Sequence, residues 1–311
     1  MIEIAWIVAG IVLLYFGGEG LVRGSSSLAR RLGMSPLVVG LTVVAFGTSS
    51  PELAATLVAA FQGSPQVAIG NVLGSNVANV GLILGSAALI FPMVAEARFI
   101  RREVPFMIFT SLLMVPLALD GGYGLFDALF LVGLLILYLW VLLREKEASR
   151  VEGEFEEVYG EPTASIGRSL VEIVAGIALL VGGAYLLVEG AVTLARGFGI
   201  SETVIGITAV ALGTSLPELA AAIVAAVRRE GDLILGNIIG SNVFNVLAIL
   251  GIASLVTPIP VVLSEIWVPY LVMMAFSLLL VLFLITRRRL SKIEGGLLLA
   301  GYLAYTTSLF F

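Results

Sequence analysis

Two glutamates stand where an acid is costly to keep. Glu52 lies inside the apolar run 35–62 and Glu218 inside the apolar run 201–227. Placing a carboxylate at the centre of a bilayer costs at least about 2.5 kcal/mol on the most lenient scale, so an acid retained there has a task. Each closes one copy of a motif: Gly47-Thr48-Ser49-Ser50-Pro51-Glu52, and Gly213-Thr214-Ser215-Leu216-Pro217-Glu218. Proline has no N–H and clashes with the carbonyl four residues back, so the helices are expected to break at Pro51 and Pro217. The carbonyls freed near Ala45–Thr48 and Ala211–Thr214 then need partners at that depth. A cation is one such partner, and the Thr and Ser hydroxyls add neutral oxygens. Two carboxylates among neutral oxygens suit a hard divalent ion such as Ca²⁺, which would neutralise both charges.

A second motif supplies more oxygen. Asn71, Ser75 and Asn79 are spaced four apart and form one polar stripe on a helix; Asn237, Ser241 and Asn245 form its mate. Gly70, Gly74, Gly236 and Gly240 beside them permit close helix approach. The chain has no Cys and no His. That excludes disulfides, thiolate and imidazole metal sites and Ser-His chemistry, and leaves oxygen as the ligand for any metal.

The elements that must position these residues are membrane helices. Only 13% of the 311 residues are charged, about half of what a soluble domain carries, and mean hydropathy is +1.09. Stretches of about 20 apolar residues cross a bilayer. Ten are predicted: 4–22, 35–62, 66–91, 103–119, 124–143, 168–188, 201–227, 232–256, 266–286 and 292–311. No basic segment precedes the first, which reads as a membrane helix rather than a cleaved leader. With ten spans, sixteen of the seventeen Lys and Arg fall on one face, Arg196 being the exception. The positive-inside rule then puts both termini outside and the 144–167 loop in the cytoplasm.

The chain also repeats itself. At an offset of 166, residues 33–52 match 199–218 at 12 of 20 positions, and 70–79 match 236–245 at 7 of 10. Each half contains five spans, an odd number, so equivalent spans run in opposite directions. The expected fold is an all-α membrane protein of ten transmembrane helices in two inverted-topology five-helix repeats, 1–143 and 168–311, joined by the acidic linker 144–167. Inversion brings Glu52 and Glu218 to a shared pseudo-axis.

The paired Gly-Thr-Ser-x-Pro-Glu and Gly-Asn-x-x-Gly-Ser-Asn segments resemble the two α-repeats of the cation/Ca²⁺ exchanger superfamily, and most closely the prokaryotic sodium/calcium exchangers. The resemblance covers nearly the whole chain. It implies a Ca²⁺/Na⁺ antiporter, not an enzyme, with transported ions in place of a cofactor. It implies a calcium position between Glu52 and Glu218 with carbonyl ligands from Thr48 and Thr214. Ser49, Ser75, Ser215 and Ser241, with the Ala45 and Ala211 carbonyls, would complete flanking sodium positions, and Asn79 and Asn245 would face the centre. Some relatives, including potassium co-transporters, carry Asp in place of Asn245, so this chain is expected to be independent of potassium. The implied 3:1 stoichiometry would be electrogenic. Proton-coupled exchange on the same fold is the alternative, and a calcium-permeable channel a further one. The expected partners are the ions and the bilayer, with no nucleic acid and no obligate protein partner.

Other charges read as local. Glu19 precedes Arg23 by four residues and suggests an ion pair near the interface or a place along the ion path. Glu172 and Glu189 are expected to mark the ends of the sixth span. The seven Glu from Glu145 to Glu161 read as a solvated linker, and Arg287–Arg289 as orientation signals that also touch anionic lipid.

Overall fold

The computed structural model describes residues 2–144, 164–198 and 213–309. These fold into helices α1 (Ile2–Leu32), α2 (Pro36–Thr48), α3 (Ser50–Phe61), α4 (Pro65–Ile90), α5 (Ala97–Leu117), α6 (Leu125–Arg144), α7 (Ile166–Gly197), α8 (Leu216–Val227), α9 (Gly231–Val256), α10 (Leu263–Arg287) and α11 (Lys292–Ser308). Among the described residues six helices are long and apolar enough to cross a membrane, or seven with α2 and α3 taken as one bent span. Large apolar side chains such as Val8, Phe16, Leu129, Trp140, Val174 and Leu282 face outward, a surface that fits lipid.

The molecule is a multi-pass, all-helical membrane protein whose outer pair, α1 and α7, packs antiparallel along a seam of small residues. Gly10 lies against Gly183, Gly17 against Gly176, and Gly24 against Ser169, a seven-residue repeat on both helices. A Cβ on Gly176 would come within 2.6 Å of the Leu21 backbone nitrogen. Lipid offers no hydrophobic drive for helix association, so such backbone-to-backbone packing supplies it. The seam also explains a departure from the sequence expectation. Both helices run about ten residues past the apolar stretches 4–22 and 168–188. Glu172 and Glu189 therefore lie within α7, which continues past both of them. The seam continues to Gly24 at one end and to Gly190 against Glu3 at the other, and Ser25–Ser27 are buried there.

Between this pair and α5, α6, α10 and α11 lie the elements that carry the motifs. α9 is enclosed nearly throughout. Gly236 and Gly240 let α9 approach the backbone of Leu37 and Leu41 in α2. Residues 203 and 207, the repeat mates of Leu37 and Leu41, fall outside the described residues, as do 145–163 of the acidic linker. Two short antiparallel ladders tie the halves together: Met93–Val94 (β1) pairs with Arg289–Leu290 (β4), and Gly122–Tyr123 (β2) with Ile259–Pro260 (β3).

Candidate cation site

The site begins with two helix breaks. Ser49 (φ −82°, ψ 5°) and Ser215 (φ −89°, ψ 1°) share the sparsely populated bridge conformation. The chain bends by 43° between α2 and α3. The break thus falls at Ser49 and Ser215, not at the prolines expected to cause it. Pro51 and Pro217 sit in the first turn of the following helix, where the missing N–H has no helical partner to lose. In consequence Glu52 and Glu218 occupy the first turns of α3 and α8, where free N–H groups and the helix dipole favour negative charge.

Neither break serine caps its own helix. Each hydroxyl crosses to the other half. Ser49 Oγ donates to Glu218 Oε1 at 3.2 Å, and Ser215 Oγ donates to Glu52 Oε1 at 3.4 Å. Thr48 lies beside the Glu218 carboxylate, and Thr214 beside that of Glu52. Both acids are buried, 2% and 1% exposed, and near enough for Glu52 to feel the charge of Glu218. The second carboxylate oxygen of each, Oε2, is buried with no hydrogen-bond partner.

α4 and α9 bring the amides. Each changes to a π-helical turn starting at an asparagine of the motif, Asn79–Leu84 and Asn245–Leu250. Such turns concentrate at functional positions because they displace side chains from the ordinary helical faces. A third, Gly40–Val44, lies in α2 ahead of the first break. Asn79 Nδ2 donates to Asn242 Oδ1, and Asn245 Nδ2 to Asn76 Oδ1, each at 2.9 Å. Asn76 and Asn242 were not among the expected site residues. Their spacing of three before Asn79 and Asn245, repeated in both motif copies, is the signal that identifies them. Asn245 Oδ1 and Ser241 Oγ are buried without partners, and Ser75 is buried.

The remaining stripe residues brace the breaks. Asn71 donates to the Glu52 carbonyl at 3.0 Å and to Thr56 Oγ1 at 2.9 Å. Thr48 Oγ1 donates to Asn237 Oδ1 at 3.3 Å. The Ala45 carbonyl accepts from the Ser49 N–H at 3.0 Å and keeps its second lone pair. Ala211 lies outside the described residues.

Several charges elsewhere are paired. Glu19 meets both Arg228, at the end of α8, and Arg23, at 3.8 Å. Its ion pair is therefore local and cross-half at once. Glu172 pairs with Arg168 at 3.0 Å. Buried Glu103 takes Arg102 at 2.6 Å and the Tyr138 hydroxyl at 2.9 Å. Among the described residues no three acids gather into a metal-binding group. A cation held by Glu52 and Glu218 must complete its shell with neutral oxygens.

Leaving a buried acceptor without a partner costs about 1–3 kcal/mol, and more when it is charged. Four such oxygens, from Glu52, Glu218, Ser241 and Asn245, belong to the two motifs. Two carboxylates, a hydroxyl and an amide carbonyl are the ligand types that hard cations take.

The family model described as sodium/calcium exchanger protein matches residues 2–144 and 168–311. Sodium/calcium exchanger MaX1 of Methanosarcina acetivorans is 35% identical, covering 98% of this chain and 97% of its own. Inner membrane protein YrbG of Escherichia coli is 34% identical over 83% of this chain and 81% of its own. A solved structure of the sodium-calcium exchanger NCX_Mj, soaked with 10 mM Na⁺ and zero Ca²⁺, superposes with a TM-score of 0.86 at 34% identity, over 99% of this chain and 98% of that one. The chain belongs to the sodium/calcium exchanger protein family.

Proposed function

We propose that this chain is a secondary antiporter that exchanges Ca²⁺ for Na⁺ across the cell membrane by alternating access. The observation that carries this reading is the reciprocal bonding of the two buried acids. Each carboxylate is held at one oxygen by the opposite half and offers its other oxygen, unpartnered, for an ion. Names of relatives that specify sodium and calcium support the choice of ions.

Calcium is bound between Glu52 and Glu218, with Thr48 and Thr214 beside it. Ser49, Ser75, Ser215 and Ser241, with the Ala45 and Ala211 carbonyls, form the sodium positions; Asn79 and Asn245 face the centre. The chain crosses the membrane ten times, as two inverted five-helix units, 1–143 and 168–311, joined by a cytoplasmic linker at 144–167, with both termini outside. Support comes from the antiparallel packing of the repeat-related α1 and α7 and from the two blocks of family similarity. Because the crossed bonds link the halves, exchanging their conformations moves the opening from one face to the other without dismantling the site. Two fixed negative charges leave the site neutral with one Ca²⁺ and at +1 with three Na⁺. Exchange at 3:1 is then electrogenic, worth about 2.3 kcal/mol per 100 mV for each net charge moved.

The test is labelled calcium uptake into proteoliposomes loaded in turn with sodium, potassium or acid. Uptake driven by sodium alone, and enhanced by an inside-positive potential that draws out the surplus sodium charge, supports the reading. Uptake driven only by acid would assign proton exchange, and uptake without any counter-gradient would assign a channel.

A further inference from the structure

Beyond the atoms that face the ion, two methionines complete a symmetric arrangement. Met107 on α5 and Met273 on α10 are separated by the repeat offset of 166 and are 0% and 1% exposed. Asn242 Nδ2 donates to Met107 Sδ at 3.4 Å, and Asn76 Nδ2 to Met273 Sδ at 3.5 Å. On their other side these same amides accept, at Oδ1, the hydrogen bonds from Asn79 and Asn245. Two relays result, Met107–Asn242–Asn79 and Met273–Asn76–Asn245, each crossing between the halves.

We propose that Met107 and Met273 are positioning residues for the cation site, fixing through Asn242 and Asn76 the direction in which Asn79 and Asn245 present their amides. This rests on the cation site proposed above and extends it by one layer. The reasoning is one of polarity. An asparagine amide has a carbonyl on one side and an NH₂ on the other, and the two orientations fill nearly the same space. If Asn76 were turned over, its NH₂ would face the NH₂ of Asn245 and its carbonyl would face the sulfur. With Met273 accepting on the far side, only one orientation satisfies both contacts. Asn245 then spends its NH₂ on Asn76, and its Oδ1 is left buried and unpartnered for the ion. A thioether suits the task because it accepts weakly and needs little solvation of its own, whereas a stronger acceptor would itself demand partners at this depth. The Met107 position is further fixed by Thr110 and Ser111, whose hydroxyls both donate to its carbonyl at 2.9 Å.

The experiment is calcium titration calorimetry on purified Met107→Leu and Met273→Leu, with Met273→Gln as the rescue. Leucine keeps the volume and removes the acceptor, an exchange that cores tolerate. Glutamine is of similar length and restores an acceptor. The relay predicts calcium affinity lowered about tenfold in each Leu variant, because Asn76 or Asn242 is then free to turn over and reorient Asn245 or Asn79, with affinity regained in Met273→Gln. Unchanged affinity in the Leu variants would overturn the relay, as would an equal loss in Leu and Gln, which would mean packing alone. If the wild-type protein binds calcium but sodium does not drive its release, the counter-ion assignment fails and the relay stands. Absence of calcium binding by the wild type would remove both.

Discussion

The Ser49 hydroxyl, at the break of the first half, donates to the Glu218 carboxylate of the second at 3.2 Å. A serine at this place in a helix ordinarily caps the N–H groups of its own first turn. Here the hydroxyl is diverted across the interface, and Ser215 does the same for Glu52. Each acid is thereby oriented by the half to which it does not belong.

Ser49→Ala and Ser215→Ala should therefore weaken calcium uptake to a similar degree. A hydrogen bond to a charged group is worth about 1.5–3 kcal/mol, which corresponds to roughly ten- to a hundredfold in apparent affinity. Ser50→Ala is the control, because Ser50 Oγ turns back to the Phe46 carbonyl of α2, in its own half, at 2.8 Å and should have little effect. Uptake kinetics in proteoliposomes check this. A large loss in Ser50→Ala with none in Ser49→Ala would contradict the crossed arrangement.

Asn245→Asp places an acid where Asn245 Nδ2 now donates to Asn76 Oδ1 at 2.9 Å. An ionised aspartate would set two acceptors against each other and add a third negative charge to the site. A protonated one restores the donor. The variant should exchange calcium poorly at alkaline pH and gain activity relative to the wild type as the pH falls. Parallel pH–rate profiles for the two proteins would discredit this account of the position.

Gly176→Ala tests the seam between α1 and α7. The new Cβ would meet the backbone of Leu21 and Gly17 at 2.6 and 2.8 Å, and neither can yield as a side chain can. Overpacking of this kind costs about 1–3 kcal/mol, or roughly 2–10 °C in melting temperature. Gly182→Ala on the same helix, where a Cβ meets nothing within 4 Å, should melt like the wild type. Thermal unfolding in detergent distinguishes the two, and equal melting temperatures would contradict the role given to the seam.

Much of this was legible in the residues, and what was not has physical causes. The two acids, their hydroxyl neighbours and the repeat offset are chemical signals, independent of packing. Helices α4, α9 and α10 lie within a few residues of their apolar stretches because hydropathy alone sets them. The lengths of α1 and α7 were hidden, because their polar ends remain helical only against each other. Asn76 and Asn242 were missed because a stripe read every four residues passes over them, while their bonds form between halves far apart in sequence. The position of the break was misassigned because proline is tolerated in a first turn, which a local rule for helix interiors does not anticipate. The two-residue ladders are too short to leave any pattern.

The most direct measurement is calcium titration of purified wild type, Glu52→Gln and Glu218→Gln. Depriving a buried charge of its partner costs about 3–5 kcal/mol, a hundredfold or more in affinity. The wild type should bind one Ca²⁺ per chain between its two acids, and each glutamine variant should lose that binding by at least about a hundredfold while remaining folded. Calcium bound by either folded variant with wild-type affinity would contradict the shared site.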